Sequence, residues 1–548
     1  MVEFYHLQGS PEKIGNDYAE QIKDNYENTA IIFFKDFIKK TIYSSLSDSP
    51  QLARDAAFKF VENFYVKRII KRIPDDEVSL YRSMARVFKL PLTTVLGGFA
   101  APDVYNILMV KSLYKKNVTP ALGCSTVIAK GDATSENNFI FARNLDFPGL
   151  GYWDLNHAVH LIEKTGKIPY LGITSKGALT GGITGMNLEG LIVSLHFNCS
   201  VDINLNGCPI LYISNKILEE ARSIEEAVEI VDRFKRTSGW TINIADTKGR
   251  TAVSVEVSAN RTGIREMTDN TFWSLNNYTT AELKKTEIPS SETLSRLNNL
   301  RNSRLLELTL ELNGSIDPKN AVNILSDKFD IEYDEMMSVS DTISQHYNIS
   351  SVIFDIGNDT IHIADEVAPV NLSHEYKSFN INDLFSGKFE QTGSIMNDSP
   401  FLNTEKYYAL QKYIESYKFW YEENDLDMSA NLMQDAVDID DTEPMFYLIL
   451  GGLYLKKLNL NAALEAFERA VDCSKADLHM AKSLFWTGVA YDILKKRSKA
   501  KDCYYNAGTL LGKNDILNIY IRKGLKYPYG KNSVKKIKLN YLSGDMFF

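Results

Sequence analysis

Apolar residues in roughly the first 120 positions recur at the spacing of an amphipathic helix. This pattern predicts helices over residues 11–37, 51–70 and 75–88. Ser10 and Pro11 precede the first of these segments, and a serine followed by a proline is typical of a helix start. Because aromatic residues are frequent here, we expect the helices to form a layer that covers another part of the chain.

From residue 121 the pattern changes to short β-branched or alternating runs, separated by Gly, Asn and Asp turns. Strands are predicted over residues 125–128, 139–143, 158–163, 170–174, 191–196, 240–246, 251–258, 350–354 and 360–364. Helices are predicted over residues 209–221, 223–233, 291–312 and 319–329. Strands and helix pairs that follow one another in this order are typical of an α+β protein, in which antiparallel sheets pack between helix layers.

The last third of the chain is predicted to be a separate helical region. Residues 383–404 are polar and rich in turn residues, which indicates a linker. Residues 405–548 return to helical spacing and repeat one frame of aromatic and small residues. The frame is found at Tyr447, Leu450, Gly451, Tyr454, Ala463, Phe467 and Ala470, again at Leu484, Thr487, Gly488, Tyr491, Ala500, Tyr504 and Ala507, and more weakly at Tyr413, Tyr417, Trp420, Ser429, Met433 and Ala436.

The period of this repeat indicates tetratricopeptide-like hairpins. Tyr417, Gly451 and Gly488 are 34 and 37 residues apart, and a period of about 34 residues is typical of that repeat. Such repeats often bind a protein partner, so we expect a contact surface here. The alternative is an ordinary helical bundle whose spacing matches by coincidence.

Composition and charge narrow the function classes. The 548 residues have a net charge of −9, which argues against non-specific binding to nucleic acid or to an anionic membrane. The five cysteines contain no CxxC pair, so we expect neither a disulfide framework nor a zinc ribbon. We expect a reducing compartment such as the cytoplasm. We also expect neither a signal peptide nor a membrane span, because no basic-then-apolar start and no run of about 18 apolar residues is present.

The residues with the most suggestive chemistry are Cys124, Arg143 and Asp146. Gly123 and Cys124 begin one predicted strand, and an Arg-x-x-Asp sequence closes the next. If these two strands form a hairpin, Arg143 and Asp146 lie near the start of the Cys124 strand. Taken singly, Cys124 could be a buried core thiol, and the other two residues a surface ion pair that contributes little stability.

Several motifs in a fixed order resemble one enzyme family. After Gly123-Cys124 come Arg143-Asn-Leu-Asp146, residues 184–191, residues 239–246 and Ser254-Val-Glu256. Together with residues 7–20, this order resembles the cysteine N-terminal nucleophile (Ntn) hydrolases of the acyl-coenzyme A:6-aminopenicillanic acid acyltransferase family. That family is related to choloylglycine hydrolase and penicillin V acylase. The resemblance ends near Pro369.

The resemblance implies a four-layer αββα fold and a chain that cuts itself between Gly123 and Cys124. The released cysteine would attack with its thiolate, and its own α-amine would serve as the base. An α-amine titrates at about 7.7–8.0 and a thiol near 8.5, so both groups work near neutral pH. The implied division is a helical segment 1–123, an Ntn core 124–382, a linker 383–404 and a repeat region 405–548.

The resemblance also implies roles for five residues. Cys124 matches the nucleophile, Arg143 the arginine beside the thiolate, and Asp146 the carboxylate that orients the new α-amine. Asn276 matches the side chain whose amide N–H helps to bind the oxyanion, and Arg304 matches an arginine that supports the site from behind.

Some of these assignments have competitors nearby. Asn277 adjoins Asn276, and Arg301 and Arg296 compete with Arg304. Relatives often carry an asparagine where this chain has His196, so either His196 or the later Asn198 is a second candidate donor to the oxyanion. His196 could equally be a strand histidine that is hydrogen-bonded to the backbone.

These residues predict an amidohydrolase or acyltransferase that acts on a small amide or thioester through a Cys124 acyl-enzyme. No metal or other cofactor is implied. Two alternatives remain: an inactive hydrolase fold that serves as a scaffold, and an adaptor whose C-terminal repeats bind a protein partner independently of catalysis.

Overall fold

The central part of the chain forms two β-sheets that face each other. The computed structural model describes residues 2–46, 49–113, 123–288, 292–513 and 515–547. The strands in chain order are β1 (Glu3–Gly9), β2 (Gly123–Lys130), β3 (Phe139–Asp146), β4 (His157–Lys164), β5 (Tyr170–Ser175), β6 (Thr184–Asn187), β7 (Leu191–Phe197), β8 (Trp240–Asp246), β9 (Thr251–Val257), β10 (Thr262–Glu266), β11 (Thr271–Ser274), β12 (Phe329–Asp330), β13 (Glu335–Met336), β14 (Asn348–Asp355), β15 (Thr360–Ala364), β16 (Glu375–Asn380), β17 (Gln391–Met396), β18 (Lys538–Asn540) and β19 (Asp545–Phe547).

The two sheets are nearly antiparallel throughout. The first contains eight strands in the order β1-β4-β5-β6-β7-β8-β9-β10, in which only β1 and β4 run parallel. The second contains seven strands in the order β11-β2-β3-β14-β15-β16-β17. An apolar layer joins the sheets, with Leu161 and Ile192 from the first packed near Phe141 and Phe354 from the second.

The helices cover the outer faces of both sheets and also form the C-terminal region. They are α1 (Pro11–Ile22), α2 (Ala30–Ser45), α3 (Gln51–Phe60), α4 (Lys67–Ile70), α5 (Asp75–Phe88), α6 (Leu92–Leu113), α7 (Ile210–Glu220), α8 (Ile224–Arg233), α9 (Ala281–Lys284), α10 (Glu292–Glu311), α11 (Pro318–Leu325), α12 (Ile381–Phe385), α13 (Glu405–Lys418), α14 (Leu426–Ile439), α15 (Pro444–Lys456), α16 (Leu460–Cys473), α17 (Asp477–Ile493), α18 (Arg497–Thr509), α19 (Leu517–Lys526) and α20 (Lys531–Val534). Helices α7 and α8 pack on the first sheet, and α10 and α11 pack on the second. The α+β class and the αββα order of layers predicted from the sequence are confirmed.

The N-terminal region is less uniformly helical than its pattern predicts. Residues 3–9 form strand β1, in which Tyr5 and Leu7 are buried on the same face. The predicted helix 11–37 is interrupted, because α1 ends at Ile22, a 3-10 segment follows and α2 begins at Ala30. Strand β1 pairs with β4, about 150 residues later in the chain, and such a distant partner leaves no local signal in the sequence.

The segment predicted as a linker contains regular structure. Within residues 383–404, β17 pairs with β16 at the edge of the second sheet, and a 3-10 turn follows at Pro400–Asn403. Strand β17 is largely exposed, which explains why its polar composition resembles that of a linker. The second sheet therefore extends past residue 382.

Consecutive antiparallel helix pairs form the C-terminal region. The pairs are α13 with α14, α15 with α16, and α17 with α18. A Cβ atom at Gly451 would lie 2.4 Å from the Phe467 ring, and one at Gly488 would lie 2.5 Å from the Tyr504 ring. The paired helices therefore approach closely where the repeat frame has its glycines. Their assignment to the tetratricopeptide class stays a prediction.

The five cysteines are free thiols in this structure. In the part of the chain that the structure describes, no helix combines the length and the apolar character needed to span a lipid bilayer. Across the same residues, no group of three or more His, Cys, Asp or Glu side chains could hold a metal ion.

Candidate active site

Cys124 lies at the head of β2, where the two sheets meet the helical layer. Strands β2 and β3 pair as the predicted hairpin, with Gly123 opposite Asp146 and Thr126 opposite Arg143. The Cys124 side chain is only 4% exposed and lines an apolar cavity together with Asp146. The hairpin therefore gathers the three residues that the sequence singles out.

Arg143 holds its guanidinium beside the thiol. Its Nη2 atom lies 3.6 Å from Cys124 Sγ and donates to the Leu195 carbonyl at 2.6 Å. Its Nη1 atom donates to the Ile183 carbonyl at 2.6 Å, so two strands of the opposite sheet fix the side chain. Burial raises the pKa of the Cys124 thiol, and the Arg143 charge opposes that rise because it favours the thiolate.

Asp146 is a buried carboxylate with one unused oxygen. Asn348 Nδ2 donates to Oδ1 at 2.7 Å, whereas Oδ2 accepts no hydrogen bond from the described residues. Arg301 Nη2 lies 3.9 Å from Oδ2. Burial raises the pKa of Asp146 to about 6, against the opposing effects of Arg301, Asn348 and Arg143. Oδ2 can therefore accept a proton or a new hydrogen bond near neutral pH.

The carboxylate of Asp146 also explains the glycine before Cys124. A Cβ atom at position 123 would lie 2.7 Å from Asp146 Oδ2 and 3.2 Å from Asp146 Cβ. A side chain there would push the carboxylate away from the Gly123–Cys124 bond. This close approach requires glycine, although the backbone angles at this position do not.

For the cleavage before Cys124 that the family resemblance implies, Gly123→Val is expected to stop the reaction. Gly123→Ala should slow it by roughly tenfold or more, because displacing a reacting group by about 1 Å is costly. Band intensities on a denaturing gel over time give both rates. Gly530→Ala is the matched control, because nothing lies within 4 Å of a Cβ atom there. Normal cleavage of Gly123→Val would contradict the close packing.

Asn276 contacts the backbone of Cys124. Its Oδ1 atom accepts a hydrogen bond from the Cys124 N–H at 2.5 Å, and its Nδ2 atom donates to the Phe197 carbonyl at 3.0 Å. Asn277 instead donates to the Tyr278 carbonyl, and it does not line the cavity. The structure therefore brings Asn276 to the site rather than Asn277.

Arg304 does not reach the site, and the sequence-based choice among the arginines needs correction. Arg304 pairs with Asp327 at 2.8 Å and with Glu307 at 3.1 Å. Arg301 instead donates to the Cys124 carbonyl and to Ser125 Oγ, both at 2.7 Å. Three residues along a helix give a rotation of about 300° and a shift of about 4.5 Å, so the two side chains leave α10 toward different neighbours.

The third arginine, Arg296, also lies elsewhere. It forms ion pairs with Glu332 and Asp341. Of these three arginines, Arg301 is therefore the one that lies behind Cys124.

His196 and Asn198 are also placed away from the cavity. His196 lies between the sheets, where its Nε2 is 2.7 Å from Thr126 Oγ1 and its Nδ1 is 3.3 Å from the Leu275 carbonyl. Burial lowers its pKa well below the usual value, so it is neutral. Asn198 Nδ2 donates to Thr241 Oγ1 at 2.6 Å. On β7, Leu195 and Phe197 face the cavity, and alternation along the strand turns His196 to the other face.

The cavity beside Cys124 is almost entirely apolar. Its lining residues other than Cys124, Asp146 and Asn276 are Phe34, Pro102, Tyr105, Leu145, Phe147, Trp153, Ile183, Leu195, Phe197, Leu211, Trp240 and Ile349. Three of them come from helices of the N-terminal segment. The sequence pattern does not single out this lining or Asn348, although an asparagine at the head of an apolar strand beside β3 is a usable signal.

Comparison with known proteins indicates the class of reaction. Residues 133–366 match the family model described as Acyl-coenzyme A:6-aminopenicillanic acid acyl-transferase. The predicted family resemblance is confirmed for this segment. It contains Arg143, Asp146, Asn276 and Arg301, and it begins nine residues after Cys124. The match supports an amidase or acyltransferase kind of function.

Two solved structures from this comparison show distant similarity. An N-acylethanolamine-hydrolyzing acid amidase ortholog from Caenorhabditis elegans is 18% identical, with a TM-score of 0.31, over 43% of this chain and 93% of that one. Penicillin V acylase from Agrobacterium tumefaciens is 12% identical, with a TM-score of 0.27, over 44% of this chain and 83% of that one. A search of curated protein sequences gave no match.

Proposed function

We propose that this chain is a cysteine Ntn hydrolase that cuts itself before Cys124 and then hydrolyses or transfers the acyl group of a small amide or thioester. The observation that carries the proposal is the arrangement around one thiol. Arg143 lies 3.6 Å from Cys124 Sγ, and the free oxygen of Asp146 lies against Gly123. The family match over residues 133–366 supports the same class of reaction.

In the proposed cleavage, the Cys124 thiol gives its proton to the Asp146 carboxylate. Sγ then attacks the Gly123 carbonyl carbon, the C–N bond to Cys124 breaks, and the nitrogen takes the proton back. This N→S shift leaves a Gly123 thioester, which water hydrolyses to a Gly123 carboxylate and a free Cys124 thiol. Arg301 holds the Cys124 carbonyl during these steps.

The cleavage prepares the site for turnover. The new α-amine would keep Asn276 Oδ1 as one acceptor and gain Asp146 Oδ2 as another. An α-amine titrates at about 7.7–8.0, so it can take the thiol proton and return it to the leaving amine. The second N–H of Asn276 stabilises the oxyanion, for which one donor contributes about 2.7–4 kcal/mol in other enzymes. Water or a second amine then removes the acyl group from Cys124.

The cavity lining favours substrates with an apolar acyl group. A charged acyl group would lose its hydration there and find few polar partners. Phe34, Pro102 and Tyr105 belong to the 1–123 segment, so that segment must stay bound after cleavage for the cavity to persist. The proposal keeps a cut after residue 123 and a C-terminal region 405–548, but extends the core beyond 124–382 because β17, within residues 383–404, belongs to the second sheet. It places the protein in the cytoplasm, where free thiols persist.

A product scan tests the proposed function. The purified protein is incubated with a panel of N-acyl amides and acyl thioesters, and mass spectrometry follows released acids, transferred acyl groups and acylation of Cys124. We expect apolar acyl groups to be released or transferred. A panel in which no substrate reacts and Cys124 is never acylated would overturn the proposal.

Phe34 is expected to limit the length of the acyl group. It also lines two neighbouring cavities, one bounded by Val95 and Phe99 and the other by Ile38. Phe34→Ala should open the substrate cavity toward them and raise the kcat/KM ratio of longer to shorter acyl substrates by about tenfold or more.

The control for Phe34→Ala is Val95→Phe, which fills the neighbouring cavity without touching the one beside Cys124. Alone, it should leave the length preference unchanged, and in the double variant it should reduce the gain, because it fills one of the two neighbouring cavities. An unchanged preference in Phe34→Ala would mean that the acyl group lies elsewhere.

A further inference from the structure

One segment connects the Cys124 site to the C-terminal helices. This connecting segment, residues 327–348, follows α11 and ends at Asn348, the residue that donates to Asp146 Oδ1 at 2.7 Å. Between these ends it contacts one side of the C-terminal helices, which we call the inner side: Lys406 and Tyr413 of α13, Glu443 at the start of α15 and His479 of α17. Asn348 is held on its sheet side by pairing with Asp146 and by the Asn371 N–H, which donates to its Oδ1 at 2.9 Å, and on its other side by this segment.

A buried lysine holds the segment from the side of the active site. Lys328 is 2% exposed, and its Nζ donates to the Ser338 carbonyl at 2.7 Å and to the Ser344 carbonyl at 3.1 Å. These bonds close the turn between residues 338 and 344 around one ammonium group. The carbonyl dipoles of the turn are the direct partners of that charge.

A buried glutamate from the helices holds the same turn from the opposite side. Glu443, at the start of α15, is fully buried, and its Oε2 accepts from the Ser338 and Val339 N–H groups, both at 3.0 Å. Its Oε1 accepts from the Met445 N–H at 3.3 Å and so caps α15. Removing the carboxylate would leave two buried amide donors without partners, which is costly in an apolar interior.

The C-terminal hairpin of β18 and β19 completes this interface. His346, two residues before Asn348, has its Nε2 atom 3.0 Å from the Tyr541 carbonyl. The Tyr541 hydroxyl bonds to Ser416 and Ser429, which join α13 to α14, at 2.7 and 2.8 Å. The inner side of the helices, where a repeat region is expected to bind a partner, is therefore covered here by the chain itself.

We propose that the inner side of the C-terminal helices is a binding surface for the connecting segment, and that Glu443 positions Asn348 and, through it, Asp146. In this role the helices complete the active site. Glu443 contacts no reacting atom, so it is a positioning residue. This positioning role concerns the same site as the proposed function. Only the predicted effect of Glu443 on cleavage rests on that function.

A double-mutant cycle between Glu443 and Asn348 tests this proposal. The rates of cleavage and of Cys124 alkylation by iodoacetamide are measured against pH, with alkylation followed on the Cys124 peptide. Each rate should fall on the acidic side of its pH profile, and we call this fall the acid limb. Loss of the Asn348 N–H favours the neutral form of Asp146, so the acid limb should move to higher pH. The charged or titratable groups that face Asp146 are Cys124, Arg143, Arg301, Lys328 and Tyr347, and all variants retain them.

Glu443→Ala and Asn348→Ala should each slow cleavage roughly tenfold at pH 6 and move the limb in the same direction. The double variant should lose no more than Asn348→Ala alone, because both changes act through one contact. Glu443→Gln keeps a carbonyl acceptor and should recover part of the rate, which also covers the case in which Glu443→Ala does not fold. Glu465→Gln, an exposed change on α16, is the control and should behave like the wild type.

Additive losses in the double variant, or an unchanged limb in a folded Glu443 variant, would overturn the positioning role. A wild-type chain that does not cleave would instead refute the proposed function. In that case the pH dependence of Cys124 alkylation still decides whether Glu443 acts through Asn348.

Discussion

Replacing Cys124 with alanine is expected to lower the turnover of amide substrates by roughly 10⁴-fold or more and to abolish acylation of the protein, because the variant lacks the thiol proposed to form the acyl-enzyme. The substitution removes one sulfur from a small, buried site without adding volume, so we expect the fold to persist. Circular dichroism and thermal melting check the fold, and mass spectrometry with a substrate from the panel measures turnover.

Loss of turnover in this variant has two possible origins, because cleavage is also lost. Alkylation of the mature wild-type protein at Cys124 separates them, since it blocks the thiol after the chain has been cut. Cys473→Ala is the matched control, because that thiol lies in the C-terminal region, away from the cavity. Turnover that survives both the Cys124→Ala change and the alkylation would show that another nucleophile acts.

Asp146→Asn is expected to lower the rate of cleavage by roughly 10²–10⁴-fold at neutral pH, because it removes the group that accepts and returns a proton. The amide is similar in size and can still meet Asn348. In the wild type, the carboxylate form is lost as pH falls through about 6, so the cleavage rate should fall there too. The variant should lose this acid limb altogether.

The same carboxyl group links stability to pH in a defined direction. Its native pKa of about 6 lies above the ordinary value of 3.8, so the folded state holds the proton more tightly than the unfolded state does. Its contribution to stability is therefore present below 3.8 and declines as pH rises toward 6. The difference in melting temperature between wild type and Asp146→Asn should change over that range, and a constant difference would contradict the raised pKa.

The core of the site could be predicted because its signal is local. Gly123 and Cys124 start a strand, Arg143 and Asp146 end the next one, and a short connection between two apolar runs favours a hairpin. Antiparallel pairing then fixes which residues face one another. For the same reason, short alternating runs sufficed to predict most strands of the sheets, whereas the αββα order of layers came from the family resemblance.

The parts that sequence alone misassigned depend on helix rotation and on distant packing. Three arginines lie within nine positions on α10, and only their direction relative to the second sheet separates Arg301 from Arg304. The sequence left His196 open between an oxyanion donor and a strand histidine, and the structure places it on the face of its strand that meets Thr126. Strand β1 and Asn348 owe their roles to partners more than 100 residues away.

The C-terminal helices show the same limit in another form. Their pairing could be predicted from Gly451 and Gly488, because the glycines and the facing rings recur in one frame. The segment that occupies their inner side could not be predicted, because Glu443, Tyr541 and the connecting segment are far apart in the sequence. A repeat pattern predicts a surface without identifying its ligand.

The measurement that tests the central claim most directly is the intact mass of the purified wild-type protein under denaturing conditions, together with the identity of its internal N-terminus. We predict two polypeptides, one ending at Gly123 and one beginning with Cys124, and a single uncut chain for Cys124→Ala. A wild-type protein that remains one polypeptide of 62.0 kDa, with Cys124 still bonded to Gly123, would contradict the account.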